Sequence, residues 1–266
     1  MSERPVPPAW KLPNGVNASL WTYAHSTRIA ADEDRFFEGH PLFETDKRIL
    51  DERFVTPGRW IDLGCGVGRH AIRFAARGFK VTAVELSEEM LRVVGAKARS
   101  RGLEILRVQA NLCDLCAIPD ETYDRALSMF STLGMIRGRA ERRRALCEAF
   151  RILKPGGTLA LHAHNLWLNL GDSQGRAWLM GELGRALRGD PNLGDRTMLY
   201  RGIPGMQVHL YRWSELKSEL NDAGFQIVES LPIHAVTAKP IAWPWFMPGL
   251  RAGGWILFAR RPQGTK

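Results

Sequence analysis

From Arg59 to His164, short β-rich apolar runs alternate with segments of helical periodicity. The strands read RWIDL at 59–63, FKVTAV at 79–84, EILRVQ at 104–109, YDRALSMF at 123–130 and GTLALHAH at 157–164; helices are expected over 67–77, 87–100 and about 139–153. Parallel strands need a crossover between them, usually a helix, so this order predicts an α/β fold with a mostly parallel sheet and helices on both faces. The helix stops agree, since Gly78, Gly102 and Pro155-Gly156-Gly157 stand just past the helical runs, where a helix ends most easily.

The flanking text is less regular. Residues 1–16 are proline-rich and poor in apolar side chains, and they read as a mobile leader. Residues 17–57 mix aromatics with acids and predict two helices broken at His40-Pro41, an N-terminal helical lid before the first strand. The main domain is expected over 58–266. Its rhythm breaks after Asn165, which predicts an insert over about 165–211. RWSELKSELNDAGF then restores a helix, capped by Ser214 and stopped by Gly224. A strand FQIVESLPI, the aromatic stretch KPIAWPWFMPGL and a last strand GGWILFARR complete the chain.

Composition limits the function classes. At 266 residues with 45% hydrophobic and 24% charged residues, the chain can bury about 75% of its surface, which excludes wholesale disorder, collagen and coiled coil. A net charge of +9 favours an anionic partner without choosing among nucleic acid, phosphate and an acidic membrane. MSERPVPPAW has early charges and prolines where a signal peptide needs an apolar stretch, so a cytoplasmic location is expected. Four cysteines (Cys65, Cys113, Cys116, Cys147) are too sparse for a disulfide framework, and Cys113-x-x-Cys116 has no second pair to complete a metal site.

The segment IDLGCGVGRH at 61–70 follows a strand and opens a helix, the context a nucleotide-binding turn requires. Its glycines at 64, 66 and 68 give G-x-G-x-G; a dinucleotide fingerprint needs its third glycine at 69, where this chain has Arg69. That spacing argues against nicotinamide and flavin dinucleotides. Glycines let the backbone approach a ligand closely, and Asp62 beside them suits a cationic ligand better than a pyrophosphate. Glu85 ends the second strand, 21 residues beyond Gly64, where an acid accepts hydrogen bonds from ribose hydroxyls. Asn111 tips the third strand in VQANLCDL, near the place of a base. The ligand therefore reads as a nucleoside.

In this order the motifs resemble the class I S-adenosylmethionine-dependent methyltransferases. The resemblance rests on IDLGCGVGRH, the acid in VTAVELSEEM, VQANLCDL, TYDRALSMFSTLGMI and AFRILKPGGTLAL, and it covers about 58–165. The tail at 213–261 is similar to the family's C-terminal hairpin. The resemblance implies a Rossmann-like seven-stranded sheet with an antiparallel last strand and S-adenosylmethionine as cofactor. It also implies Gly64 and Gly66 beside the methionine portion, with Asp62, Cys65 and Gly68 completing that turn. Glu85 falls at the ribose, Leu86 on one face of the adenine, Asn111 and Leu112 at the adenine, and Met129 at the sulfonium end.

Methyl transfer from a sulfonium needs an aligned nucleophile, exclusion of water and, for some acceptors, a base. His162 and His164 lie two apart on strand five, hence on one face, with His164 nearest the end where α/β sites open. Tyr211, between His209 and Arg212 in QVHLYRW, is a third candidate from the insert side. A packed histidine pair is the competing reading, and no third ligand accompanies it for a metal. Tyr23 and His25 are candidates for a lid over the crevice. The arginines of RGRAERRR read as a solvated face or an RNA contact, and AWPWFMP as a covered loop or a membrane contact within 240–248.

Three functions fit these residues. The first expectation is a methyltransferase acting on a small molecule held under the lid and insert. A tRNA methyltransferase is the second, because AERRRALCEAFRILKPGG and HLYRWSELKSELNDAGF resemble the wobble-uridine carboxymethyl methyltransferases. A non-catalytic nucleoside-binding protein is the third.

Overall fold

The computed structural model of the chain describes residues 5–190 and 192–264; residues 1–4 of the expected leader lie outside that range. The strands are β1 (Arg59–Leu63), β2 (Lys80–Glu85), β3 (Ile105–Gln109), β4 (Tyr123–Ser128), β5 (Leu153–His164), β6 (Asp195–Tyr200), β7 (Ile203–His209), β8 (Gln226–Ile233) and β9 (Gly254–Arg260). Seven of them form one sheet in the order β3-β2-β1-β4-β5-β9-β8, and β6 pairs with β7 in a separate hairpin. Only β9 runs against its neighbours in the large sheet. This is the mostly parallel, Rossmann-like sheet with a reversed last strand that the sequence predicts. The order reverses between β2-β1 and β1-β4, and in such sheets the crevice opens at the carboxyl ends of the strands flanking that point.

Helices α1 (Ala18–Ala24), α2 (Thr27–Phe36) and α3 (Pro41–Arg53) precede β1. The break at His40-Pro41 stands, with Pro41 in the first turn and His40 accepting a hydrogen bond from the Leu42 N–H. Ser26 adds a second break by capping α2 through the Ile29 N–H, so the expected two helices are three. Helices α4 (Arg69–Ala76), α5 (Glu88–Ser100), α6 (Thr132–Met135) and α7 (Arg139–Ile152) connect the first five strands, and the insert contains α8 (Ser173–Leu187) before the β6–β7 hairpin. After the hairpin come α9 (Trp213–Asp222) and the short α10 (Pro248–Arg251). Ser214 does not cap α9. The helix begins two residues earlier than that cap would require, at Trp213, so its N-cap is Arg212, which caps through no side chain. Gly224 does end it, at φ +95°, where an added Cβ would meet the Phe150 ring.

Strand β1 is buried on both faces, as a central parallel strand must be. Because side chains alternate along a strand, Ile61 and Leu63 join one large core, while Trp60 joins the other with Phe54, Phe74 and Phe79. The Trp60 ring stacks on Phe74 at 3.7 Å and meets Phe54 and Phe79 edge-on. A third, smaller core ties the lid to the insert, with Ile29 and Ala30 of α2 packed among Val67, Met90, Ile203 and Met206.

Among the described residues, no helix is long and apolar enough to cross a membrane. Trp60→Ala is expected to lower unfolding free energy by about 3–5 kcal/mol, the usual result of emptying a large aromatic site. Urea denaturation of the variant checks this; a loss below about 1 kcal/mol would contradict the packing role.

Candidate functional site

The turn from β1 into α4 holds Gly64, Gly66 and Gly68 at φ +75°, +54° and +78°, a region most L-residues avoid. The three differ in purpose. A Cβ on Gly64 would press on the Thr132 side chain and one on Gly68 would press on Val94, whereas Gly66 faces open space. Two glycines therefore let α6 and α5 pack against the turn, and the third leaves the backbone bare toward a cavity. The amides of Gly64 and Cys65 both donate to the Val84 carbonyl, which locks the turn to β2.

That cavity has a volume of about 160 Å³. Nine of the sequence-expected residues line it: Asp62, Gly64, Cys65, Gly66, Glu85, Leu86, Asn111, Leu112 and Met129. Gly68 is not among its lining residues; its place is against Val94.

Two carboxylates dominate its electrostatics. Asp62 is buried, and its Oδ2 has no hydrogen-bond partner. Burial and the neighbouring Glu85 charge push its carboxyl up to about 7. Glu85 accepts from the Gly66 amide through Oε2 (3.0 Å) and from the Leu86 and Ser87 amides through Oε1 (2.8 and 3.1 Å). Burial still raises its pKa, against those three bonds that favour the charged form. A third acid, Glu33 of α2, reaches the same cavity and accepts from the Tyr23 hydroxyl at 3.0 Å.

Sequence reasoning missed part of the wall. Asn14, Gly15 and Val16, assigned to the unstructured leader, line the cavity. The Asn14 carbonyl accepts from Asn111 Nδ2 at 2.7 Å, and the Gly15 carbonyl accepts from the Arg137 amide at 2.8 Å. Asn111 Oδ1 accepts from the Cys113 amide at 3.0 Å, so both ends of this side chain are engaged. Phe37, Phe43, Arg69, Phe130 and Tyr200 also enter the wall. Arg69 lies over the Phe43 ring, and burial lowers its pKa against the opposing pull of the aspartate and glutamate side chains around it. Of the two lid candidates, Tyr23 lines the cavity; His25 instead stacks on Trp21 at 3.9 Å.

The three catalytic candidates are neighbours, with the His162 and His164 rings edge-on at 4.9 Å and the Tyr211 amide donating to the His164 carbonyl at 2.9 Å, but they share no cavity. His162 is fully buried, neither ring nitrogen has a partner, and burial holds its pKa well below the usual histidine range. His164 ends β5 and faces a second cavity of about 240 Å³ on the insert side; burial lowers its pKa to about 4. Tyr211 is fully buried beneath the Arg142 guanidinium, 4.5 Å from the His209 ring, and lines neither cavity. Among the described residues, no group of acids, histidines and cysteines is arranged to hold a metal ion.

Residues 61–157 match the family model described as a methyltransferase domain. The putative methyltransferase YqeM of Bacillus subtilis is 33% identical over 126 residues, which cover 47% of this chain and 50% of that protein. The chain spans about half the length of the curated relatives it matches. Among solved structures, an S-adenosylmethionine-dependent methyltransferase from Methanosarcina mazei superposes with a TM-score of 0.64 at 23% identity, covering 80% of this chain and 97% of that one. The 1,6-didemethyltoxoflavin-N1-methyltransferase of Burkholderia thailandensis, solved with 1,6-didemethyltoxoflavin and S-adenosylhomocysteine bound, gives 0.58 at 18% identity over 88% of this chain and 84% of that one. Residues 61–157 thus match a methyltransferase domain, and the sheet has the class I Rossmann-like fold of these solved methyltransferases.

The raised carboxyl at Asp62 has a consequence for stability. The folded chain keeps this proton up to about pH 7, whereas the unfolded chain releases it near 4, so the folded state binds more protons between the two values. Stability from this group therefore falls as pH rises from about 4 to about 7. Asp62→Asn is expected to reduce that slope and to raise stability at pH 7.5 by a few kcal/mol, about 4 at most. Urea titrations at pH 5 and 7.5 measure it, and a slope equal to that of the unsubstituted protein would contradict the raised carboxyl of buried Asp62.

Proposed function

We propose that this chain binds S-adenosylmethionine in the glycine-turn cavity and transfers its methyl group to a small molecule. The observation that carries the reading is Asp62, a buried carboxylate with an unpartnered oxygen beside a bare glycine backbone and a second acid. A lone buried carboxylate is costly, and a cationic group of the ligand would relieve it. When bound, the cofactor supplies a methyl group already activated by its sulfonium.

The residues divide the remaining work. Asp62 faces the ligand ammonium, and the Gly64–Gly66 backbone, with Cys65 between, gives the methionine portion room. Glu85 accepts from the ribose hydroxyls; its Oε2 has one protein donor and keeps a free lone pair for this. Leu86, Asn111 and Leu112 border the adenine, and Met129 closes the sulfonium end. The lid over 17–57 excludes water, since Tyr23, Glu33, Phe37 and Phe43 form its inner surface. His164 faces the acceptor. As a neutral imidazole it can take a hydrogen bond from a nucleophile at neutral pH, while His162 and Tyr211 hold the fold behind it.

A nucleic-acid acceptor lacks comparable support. Of the arginines at 137–144, Arg142 is buried next to Asp195, Arg139 pairs with Glu219 at 3.2 Å, and Arg143 pairs with Asp222 at 3.3 Å. Charges engaged within the protein offer little to a phosphate backbone.

Isothermal titration with S-adenosylhomocysteine tests the cofactor site. Glu85→Ala is expected to weaken binding at least tenfold, about 1.4 kcal/mol, through loss of charge-assisted bonds. Unchanged affinity would remove Glu85 from the site. Transfer of labelled methyl into cell extract, separated by fraction, tests the acceptor. Label among small molecules supports the proposal; label confined to RNA overturns it.

A further inference from the structure

We infer that the second cavity, between the end of β5 and the β6–β7 hairpin, is a binding site for a flat apolar carboxylic acid whose carboxylate is held by Arg196. The inference deepens the proposed function, because it makes this cavity the seat of the methyl acceptor.

The cavity shares Phe130, Met135 and Tyr200 with the glycine-turn cavity, so the two spaces lie on either side of one wall. Phe130 and Ser131, at that wall, both adopt positive φ (+55° and +59°). Two consecutive non-glycine residues in this region are strained, and such strain clusters where a site demands a particular backbone. The rest of the lining is mainly apolar: Leu168, Met198, Met206, Val208 and Leu210. Together with Met135 this makes three methionines, whose flexible, polarizable thioethers adapt to flat rings and make favourable contacts with them.

Few polar groups interrupt that surface. The Gln207 amide donates to Asp195 at 2.8 Å and is thereby occupied. Ser131 Oγ accepts from the His164 amide at 3.4 Å. Arg196 differs. Among the described residues it has no carboxylate partner at ion-pair distance, although it stands in a predominantly apolar wall. Its guanidinium is nonetheless fixed: Nη1 donates to Asn169 Oδ1, and the plane lies 5.7 Å from the Trp178 ring. Asn169 is fully buried, and its own Nδ2 donates to the Leu166 carbonyl at 2.7 Å, which leaves Oδ1 to receive the arginine.

A fixed, half-buried cation without an anion is incomplete. The remaining guanidinium edge suits a planar carboxylate, which two parallel N–H donors hold in one orientation. A single arginine matches a single negative charge, and a polyanion would find no second cation in this lining. The acid would therefore lie with its ring among the methionines and its carboxylate at Arg196.

Binding of 6-hydroxy-2-naphthoate and of its neutral amide, followed by naphthyl fluorescence on the intact protein, tests this. The acid is expected to bind at least tenfold more tightly than the amide. Arg196→Gln should abolish that preference, Arg196→Lys should keep part of it, and Met198→Trp, at a partly exposed position on the wall, should block both ligands. All three variants should bind S-adenosylhomocysteine as the unsubstituted protein does. Equal binding of acid and amide, no binding of the acid, or a preference that survives Arg196→Gln overturns the inference. Failure of S-adenosylhomocysteine to bind the unsubstituted protein would instead overturn the proposed function, and the acid–amide comparison would still decide what this cavity takes.

Discussion

The turn between β1 and α4 has no room for a Cβ at two of its three glycines, and the rest of the site hangs from that restriction. Gly64 lets Thr132 close against the strand end, and Gly68 lets Val94 of α5 pack against the start of α4. With those contacts made, Gly66 is left uncovered and its amide points to Glu85. Asp62, one residue inside the strand, is then sealed from water without a partner for one oxygen. The fold is close-packed around a site that is electrostatically unfinished, and under the proposed function a cationic ligand would complete it.

The cover over this site comes from two distant parts of the chain. Helices α1 and α2 bring Tyr23 and Glu33, while the hairpin β6–β7 brings Tyr200 at its tip. The next residue, Arg201, is buried and pairs with Glu33 and, at 3.3 Å, with Asp32. Its guanidinium also stands 4.2 Å from the Phe36 ring. Lid and insert are therefore joined by a buried ion pair as well as by the small core that includes Ile29, Ile203 and Met206. Removing one partner of such a pair strands the other charge, so the two halves of the cover depend on each other.

The base of the hairpin is anchored with equal care. His209 lies between Asp195 at 2.7 Å and Glu215 at 3.0 Å, and these acids hold its pKa above the usual range despite burial. Arg142 of α7 reaches Asp195, and Tyr211 packs on both Arg142 and His209. This network explains why Tyr211, which reads from the sequence as a cavity residue, belongs to the scaffold. It also explains why an arginine run that reads as a solvated face turns one member inward. The orientation keeps the β6–β7 wall of the second cavity in place.

Local pattern alone determined the parallel sheet, the glycine turn and the acids Asp62 and Glu85. Strand alternation, crossover length and positive-φ glycines are set by neighbours in the sequence, and they carry the same meaning wherever the chain places them. The same holds for the break at His40-Pro41 and the stop at Gly224. Tertiary structure alone decided which residues from outside the sheet face the site. Asn14 to Val16 carry no periodicity, yet two of their carbonyls accept hydrogen bonds, from the Asn111 side chain and the Arg137 amide, which bring them over the cavity. His164 is already legible as the histidine nearer the strand end, but the wall that makes a cavity in front of it comes from the distant β6–β7 hairpin. Arg196 looks like any surface arginine until Asn169 and Trp178 fix it in an apolar wall. Such roles depend on contacts between residues far apart in the chain, and no local pattern records the charge or burial that a distant segment supplies.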